Sequence, residues 1–503
     1  SGCKTYSPYY GDSEHFISVL ATENDTKITL SDFPNGIVFT NLDISGPQNS
    51  PIEIFLEKNE TYIFGFKSNW NDSDEIKQAL IGALVVSEDS SGSGLEKPIV
   101  VTSGSVGGSF RNQNIGNTDY GLDQLTDISI LGNEYIFVRG AGLDEVEKII
   151  LIADKDGTEI YKDGGTFLKT LNKGEHLILD ADTRSIGYGE FTGDNLYIST
   201  QDPSFKLIAF QGIGYVGGAN QGLVFVPPLS CSSKGNIDNI PFIEKVATEN
   251  MIGGTLTILT EDGADLRIYR NNNLIADSSG SSGVYNLSSD EKNVNGKPGY
   301  KTYFLLSNPS SGLDLTGNIS VKSDKELYLA SSTYSEFGSA GSFYSGFVTE
   351  PQVVPELTIS PLGTCIYSSI NSNVKFKTAN SFDAYQWEIF DEITNSWINA
   401  PSGSSQPNNE ADYTPTVQGK YRLIGTLSCF PTKQYISEIQ RVNICPTDFD
   451  SDGIVDNVDL DLDNDGILNK IESLGDFEID LSNISQPVLK LPTNITTKAK
   501  YNN

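Results

Sequence analysis

The stretch Thr255-Leu-Thr-Ile-Leu-Thr-Glu-Asp-Gly-Ala-Asp-Leu-Arg-Ile-Tyr269 carries the pattern that decides the fold. Apolar and polar residues alternate on both sides of Asp262-Gly263, and a period of two is typical of β-strands with one buried face. An Asp-Gly pair between two such runs predicts a β-hairpin. Because similar alternating runs recur along the chain, we predict an all-β protein.

Segments of the chain recur at intervals of about 110 residues, which indicates internal repeats. The matches are Thr158-Glu-Ile-Tyr161 with Leu266-Arg-Ile-Tyr269, and Leu56-Glu-Lys-Asn-Glu-Thr-Tyr-Ile-Phe64 with Leu171-Asn-Lys-Gly-Glu-His-Leu-Ile-Leu179. An Ala-Thr-Glu-Asn run also occurs at residues 21–24 and 247–250. A repeat of this length fits a β-sandwich better than a propeller blade of roughly 40 to 50 residues. We therefore predict three related β-sandwich-like modules, at residues 1–125, 126–236 and 237–350.

The composition agrees with a folded β-protein. The 503 residues include 48 Gly, 21 Pro, 23 Tyr and 24 Phe, which favours turns and strands and is too aromatic for a disordered acidic chain. The net charge of −32 repels phosphate backbones, so nucleic acid is excluded as a partner. No run of 18 apolar residues is present, so we expect no membrane-spanning helix.

The composition changes after a short proline-containing segment, residues 351–356, which we predict to be an extended linker. In the region that follows, residues 357–445, Trp387 and then Tyr421 are spaced like the buried Trp and the corner Tyr of an immunoglobulin-like sandwich. This region resembles the Ig-like and PKD-like modules of bacterial surface proteins. We expect residues 476–503 to begin a further β module or tail, so the chain is interpreted as part of a longer protein.

Five cysteines are present, and none forms a CxxC pair that would indicate a zinc ribbon or a redox motif. Cys3 with Cys231, and Cys365 with Cys429, are disulfide candidates, which would place the protein in an oxidising compartment. Free buried thiols are the alternative for each pair. The Ser-Gly-Cys opening also resembles the end of a bacterial lipoprotein signal, which leaves lipidation open for Cys3. Cys445 has no predicted partner.

Two acidic loops follow one another within residues 446–475. The second matches the calcium-loop template, with carboxylates at positions 1, 3 and 5, Gly at position 6, a backbone carbonyl at position 7, and ligands at positions 9 and 12. The first has the same spacing but closes with Asp, which is shorter than Glu. The predicted calcium ligands are Asp448, Asp450, Asp452, Ile454, Asp456, Asp459, Asp461, Asp463, Asp465, Ile467, Asn469 and Glu472. An unstructured acidic linker is the alternative.

Two family resemblances follow from these motifs. The tandem acidic loops resemble thrombospondin type-3 repeats, which implies a stiff, calcium-loaded spacer. The runs Gly217-Gly-Ala-Asn-Gln-Gly222 and Val226-Pro-Pro-Leu-Ser-Cys231, with the Ala-Thr-Glu-Asn runs, resemble the IgGFc-binding N-terminal domain family. That resemblance implies extracellular binding of a glycan or protein ligand. The whole arrangement resembles surface adhesins exported by the type IX system of gliding bacteria, which implies a cell-surface location and further partners in the export machinery and the rest of the chain.

Enzymatic readings have little support in the sequence. The histidines are His15 and His176, and neither lies near a nucleophile motif. His176 aligns with Tyr62 in the repeat, so we expect a partly buried strand residue. We therefore predict a non-enzymatic adhesin segment. The alternatives are a passive spacer whose active head lies beyond Asn503, and a glycan-active enzyme.

Overall fold

The structure is a computed structural model in which the described residues divide into two compact units, Ser1–Val348 and Thr349–Asn503. No helix among these residues is long and apolar enough to cross a membrane. The described residues are 13–40, 46–68, 72–108, 119–142, 147–181, 189–214, 220–229, 234–246, 249–250, 253–334, 339–343, 353–357, 365–366, 374–378, 382–403, 407–427, 430–444, 449–450, 452, 454, 456, 459–469, 478–480 and 488–490.

The first unit consists of β-strands, a one-turn helix and short 3₁₀ turns. In chain order the strands of its first part are β1 (Ser13–Ala21), β2 (Thr26–Ser31), β3 (Ile52–Leu56), β4 (Thr61–Ser68), β5 (Leu84–Asp89), β6 (Ile99–Gly108) and β7 (Asp119–Gln124), with helix α1 (Asp74–Lys77) before β5. The second part contains β8 (Glu134–Val138), β9 (Ile149–Ala153), β10 (Thr158–Lys162), β11 (Thr166–Leu171), β12 (His176–Leu179), β13 (Asn195–Thr200), β14 (Leu207–Gly214) and β15 (Asn220–Phe225). The third part contains β16 (Lys234–Pro241), β17 (Lys245–Val246), β18 (Glu249–Asn250), β19 (Gly253–Glu261), β20 (Leu266–Arg270), β21 (Asn273–Asp277), β22 (Tyr285–Asn286), β23 (Lys292–Asn293), β24 (Tyr300–Leu306), β25 (Asn318–Tyr334) and β26 (Ser339–Phe343). The 3₁₀ turns are Ile128–Ile130, Leu287–Ser289 and Pro309–Ser311.

These strands form three sandwiches with one connectivity, which confirms the predicted fold of three related β modules. In the first module the sheet β3-β2-β5 packs on β4-β1-β6-β7, and in the second β11-β10-β13-β8 packs on β12-β9-β14-β15. In the third module the long β25 serves both layers, because its first half pairs with β20 and its second half pairs with β19. Strands β1, β9 and β19 are therefore equivalent, as are β2, β10 and β20.

The sequence matches mark equivalent positions in two cases. Glu60 and Glu175 accept a hydrogen bond in the same turn, from the N–H groups of Glu57 and Asn172 at 2.8 and 2.7 Å. The match of Thr158-Glu-Ile-Tyr161 with Leu266-Arg-Ile-Tyr269 is the second case, because these runs lie in the equivalent strands β10 and β20. The Ala-Thr-Glu-Asn runs are not equivalent, however, since the first overlaps the end of β1 whereas the last two residues of the second form β18, before β19.

The predicted hairpin at Asp262-Gly263 is wrong. Asp262-Gly263 connects β19 to β20, and these strands lie in different layers of the third module instead of pairing. The reason is that both strands bury a row of side chains in one core, with Leu256 of β19 and Ile268 of β20 fully buried there. The turn therefore carries the chain from one sheet to the sheet that faces it.

Neighbouring modules contact each other through backbone at glycines with positive φ. A Cβ atom at Gly82 (φ +88°) would lie 1.9 Å from the carbonyl oxygen of Gly174, which joins the first module to the second. A Cβ atom at Gly296 (φ +76°) would lie 2.1 Å from the carbonyl carbon of Asp163, which joins the second module to the third. L-residues with side chains rarely adopt this backbone conformation, and the space excludes them as well.

Apolar side chains surround each of these glycine contacts. Between the first and second modules Ile81 packs on a row of isoleucines that includes Ile150 and Ile178. Between the second and third modules Ile136 and Tyr197 pack on a cluster from the third module, formed by Leu259, Val294 and Tyr328. The modules of the first unit are therefore held by buried contacts rather than by flexible linkers.

Gly82→Ala is expected to destabilise the first unit by about 2 to 4 kcal/mol, from the positive φ and from overlap with the facing backbone. Gly157→Ala is the matched control, because Gly157 also has a positive φ (+74°) but has open space around it. The control should lose only about 1 to 2 kcal/mol. Urea unfolding of both variants measures this difference in the free energy of unfolding. Equal losses would show that the close contact between the modules does not contribute to stability.

The second unit contains the predicted Ig-like sandwich. Its strands are β27 (Val353–Leu357), β28 (Cys365–Ile366), β29 (Val374–Thr378), β30 (Ala384–Asp391), β31 (Ser396–Asn399), β32 (Gly419–Leu427), β33 (Phe430–Ile436), β34 (Gln440–Ile444), β35 (Glu478–Asp480) and β36 (Val488–Lys490). Sheet β28-β34-β32-β30-β31 and the pair β27-β29 enclose Trp387, which stacks on Phe376 at 5.2 Å between ring centroids. The Tyr421 hydroxyl donates to the carbonyl of Val417 at 2.6 Å, the hydrogen bond of a tyrosine corner.

Part of the predicted linker is a strand of this sandwich. Residues Val353–Leu357 form β27, which pairs with β29 in antiparallel register. Pro355 is compatible with this position because β27 pairs on one side only among the described residues, and an edge strand tolerates the missing N–H. Beyond the sandwich, β35 pairs with β36, which places strands in the region where we expected a further β module or tail.

Candidate functional site

Six of the described carboxylates of the two acidic loops, all except Asp456, converge into two groups, within each of which one oxygen per residue lies within 4.8 Å of the others. The groups are Asp450, Asp452 and Asp459 in the first loop, and Asp461, Asp463 and Asp465 in the second. They correspond to positions 3, 5 and 12 of one loop and positions 1, 3 and 5 of the other. The remaining predicted carboxylate ligands at the loop ends, Asp448 and Glu472, lie outside the described residues.

The carboxylate oxygens of these two groups are ligands that suit a hard divalent cation. Asp459 Oδ2 and Asp461 Oδ1 are buried and have no hydrogen-bond partner. A buried anionic oxygen without a donor is costly, and a bound cation is one way to satisfy it. Calcium binds through six to eight oxygen ligands with flexible geometry, which carboxylates and backbone carbonyls supply. These residues would hold the ion, and the ion would neutralise the repulsion among them.

Both loops are shaped by the same hydrogen bonds. The N–H of Ile454 donates to Asp452 Oδ1 at 2.7 Å, and that of Ile467 donates to Asp465 Oδ1 at 2.8 Å, so the predicted position-7 residues sit in equivalent turns. At position 9, Asp456 Oδ1 accepts a backbone N–H from its own loop at 2.8 Å. Asn469 Oδ1 does the same in the second loop at 2.8 Å.

Asp463→Asn is expected to lower calcium affinity at the second loop by tenfold or more, because it removes one of three converging negative charges without changing the side-chain shape. Titration calorimetry of the metal-free chain measures the change. Asp391→Asn is the control, since Asp391 is an acidic residue at the end of β30 in the Ig-like sandwich, outside the loops. Equal calcium uptake by the parent chain and the Asp463→Asn variant would contradict the predicted ligand role.

A narrow crevice lies between the second and third modules. Most of its lining is apolar, and Val138 is the one half-buried residue in a lining that is otherwise buried. The lining residues are Ile136, Val138, Gln211, Val226, Pro227, Thr257, Leu259 and Tyr328. Sequence reasoning missed this feature because it needs residues from distant parts of the chain, although Leu259 belongs to the alternating run that identified β19.

Polar contacts close the junction beside the crevice. Lys297 Nζ lies 2.5 Å from Glu134 Oε1 and 5.4 Å from the ring centroid of Tyr197, so one ammonium group bridges the modules. Asn195 Nδ2 donates to Thr302 Oγ1 at 2.7 Å. Together with the glycine contact, these bonds hold the two modules in one arrangement.

The histidines serve the structure. His15 is fully buried in β1, where its Nε2 lies 3.0 Å from Ser68 Oγ, and burial lowers the pKa of its imidazole to about 3. His176 is half-buried in β12, as predicted, and its Nε2 lies 3.0 Å from Gln78 Oε1 of the first module. Burial also lowers the pKa of His176. The two side chains lie in different modules, so they do not form a joint acid–base pair.

The first unit is expected to lose stability on acidification because of His15. An unfolded His15 has a pKa of 6.5, whereas the folded side chain has one of about 3, so the unfolded state binds the extra proton between these values. Between pH 7 and pH 5 this side chain alone should remove about 2 kcal/mol. His15→Gln keeps a hydrogen-bonding group but does not titrate. Urea unfolding at both pH values should show a smaller pH effect in the variant, and an unchanged effect would contradict this assignment.

The predicted disulfides lie mostly outside the described residues. Cys365 begins β28, while Cys3, Cys231, Cys429 and Cys445 belong to segments that the structure does not describe. Both pairings, and the alternative lipidation of Cys3, stay predictions.

The packed array of β-sandwiches defines a modular all-β protein. Residues 3–329 match the family described as IgGFc binding protein, and the chain belongs to that family. The match covers the described strands of the first two modules and extends into β25 of the third. It confirms the resemblance predicted for this region, and it places the chain in a family of extracellular binding proteins.

No curated protein matches the chain. Among solved structures, the crystal structure of Salmonella alpha-2-macroglobulin reacted with methylamine is 10% identical, with a TM-score of 0.11, over 85% of this chain and 28% of that chain. The chain therefore spans less than a third of the length of that protein. A TM-score this low carries no argument about the fold.

Proposed function

We propose that the three-module unit is the binding head of an extracellular adhesin and that its ligand is a protein. The observation that carries this proposal is that the family match and the packed unit cover the same part of the chain. Residues 3–329 match the family, and they span the modules that buried contacts hold together. Rigid modules present a surface without losing conformational entropy on binding, which favours affinity.

The family match favours a protein ligand over a glycan, and the crevice between the second and third modules lies within the matched residues. Its lining is mainly aliphatic, and Val138 is the half-buried residue of that lining. A sugar has many hydroxyl groups that lose water on binding and need polar partners, whereas an apolar side chain of a protein ligand does not. A glycan ligand would use other, more polar faces of the modules.

The Ig-like sandwich and the acidic loops form the stalk in this proposal. Calcium bound by the two carboxylate groups would stiffen the segment, as the likeness to thrombospondin type-3 repeats implies. The acidic loops belong to the second unit, so the head is expected to work without calcium. Attachment to a cell surface through a type IX export route is the corresponding proposal for localisation.

Binding of the full chain to panels of extracellular proteins and glycans, with and without a calcium chelator, tests this function. We expect a protein ligand whose binding survives calcium removal. Val138→Arg should weaken that binding by tenfold or more because it places a charge in the apolar lining of the crevice, at its half-buried position. Val86→Arg is the matched control, since Val86 is 44% exposed on the first module, away from the crevice.

The outcomes separate the alternatives. Binding to a glycan alone would replace the protein ligand with a carbohydrate. Equal effects of the two arginine variants would move the site away from the crevice. No binding by a chain that is demonstrably folded would favour a passive spacer, and hydrolysis of a glycan would favour the enzyme.

A further inference from the structure

Asn469 makes two hydrogen bonds that a metal ligand at its position does not need. It occupies position 9 of the second acidic loop, where the calcium-loop template places a ligand. Its Oδ1 accepts the N–H of Leu462 at 2.8 Å, and its Nδ2 donates to the carbonyl oxygen of Asp459 at 2.8 Å. Both ends of the side-chain amide are therefore bound to backbone, and the second bond crosses from one loop to the other.

A comparison with Asp456, the equivalent residue of the first loop, shows which of these two bonds is particular to Asn469. Asp456 Oδ1 accepts the N–H of Phe449 at 2.8 Å, just as Asn469 accepts that of Leu462. An ionised carboxylate has no hydrogen to donate, so Asp456 cannot make the second kind of bond. The loops thus share the bond within the loop, and the amide adds a bond between the loops.

Asp459 is the residue that this additional bond holds. It closes the first carboxylate group at position 12, and its buried Oδ2 has no hydrogen-bond partner. Its Oδ1 accepts the N–H of Asp461, the first residue of the second loop, at 2.8 Å. The second loop therefore fixes Asp459 at both its side chain and its carbonyl group.

A further bond crosses between the loops in the same direction. Asn464 Nδ2 donates to Asp452 Oδ2 at 3.3 Å, so a second ligand of the first group is also held from the second loop. Asp at position 12 is shorter than the usual Glu, so its reach depends more strongly on where its backbone is placed.

We propose that Asn469 is a positioning residue for the first calcium site and not a ligand of the second. It holds Asp459 in place, so the first site is complete only when the second loop is folded around its own ion. The second loop closes with Glu at position 12 and the first with the shorter Asp, so the second loop fills first, and its filling raises the affinity of the first. This inference rests on the proposed calcium binding and names the order and coupling of the two sites.

Asn469→Asp in the full chain separates the two roles. The variant keeps the oxygen that accepts the Leu462 N–H and loses the donor to Asp459. A ligand role predicts tighter binding at the second site, because a carboxylate replaces a neutral oxygen. A positioning role predicts about tenfold weaker binding at the first site, despite the added negative charge, because one hydrogen bond that fixes Asp459 is lost.

The measurement is a calcium titration of the metal-free chain followed by calorimetry and by hydrogen exchange. Exchange of peptides covering residues 449–459 and 460–469 assigns a calcium midpoint to each loop, which does not depend on any activity. Asn399→Asp is the control for charge, since Asn399 is exposed on β31 of the Ig-like sandwich. The control should leave both midpoints unchanged.

In the parent chain the second loop should become protected at lower calcium than the first. In the Asn469→Asp variant the first midpoint should rise and the second should stay or fall. An unchanged or lower first midpoint in the variant overturns the positioning role alone. A parent chain that takes up no calcium overturns it together with the proposed calcium-stiffened stalk.

Discussion

The first unit depends on backbone contacts at glycines where neighbouring modules meet. Gly82 against Gly174, and Gly296 against Asp163, bring main chain against main chain at distances that exclude a Cβ atom. Such close approach lets the surrounding isoleucines and aromatic residues interlock, because side chains on both modules reach across the gap. Three sandwiches that share one connectivity thereby form a single body, and the binding surface that we propose for it belongs to their arrangement rather than to any one module.

Periodicity in the sequence predicted much of this fold. Alternation identified β19 and β20, and the turn between β3 and β4 recurs between β11 and β12 because Glu60 and Glu175 make the same hydrogen bond. The path between strands was less predictable. An Asp-Gly turn allows a hairpin or a crossing between layers, and the choice depends on which core the two strands share. The sequence likewise predicts a linker where β27 lies, because its pairing partner β29 is outside the local sequence.

The candidate sites differ in how far they can be derived from sequence. The proposed calcium ligands follow from fixed spacing, because in the calcium-loop template a loop of contiguous residues wraps its own ion. The crevice at Val138 and the bridge from Lys297 to Glu134 join residues far apart in the chain, so no local pattern indicates them. Asn469 lies between these cases. Its spacing fits a ligand, whereas its hydrogen bonds to the neighbouring loop favour a supporting role.

The most direct measurement of the central claim is hydrogen exchange of the first unit at increasing urea, resolved to peptides from β1, β9 and β19. If the modules form one cooperative body, the slowest amides of the three strands will open with the same free energy and the same dependence on urea. Three distinct opening free energies would contradict this claim, because they would show that each module unfolds independently and that the contacts between modules do not couple their unfolding.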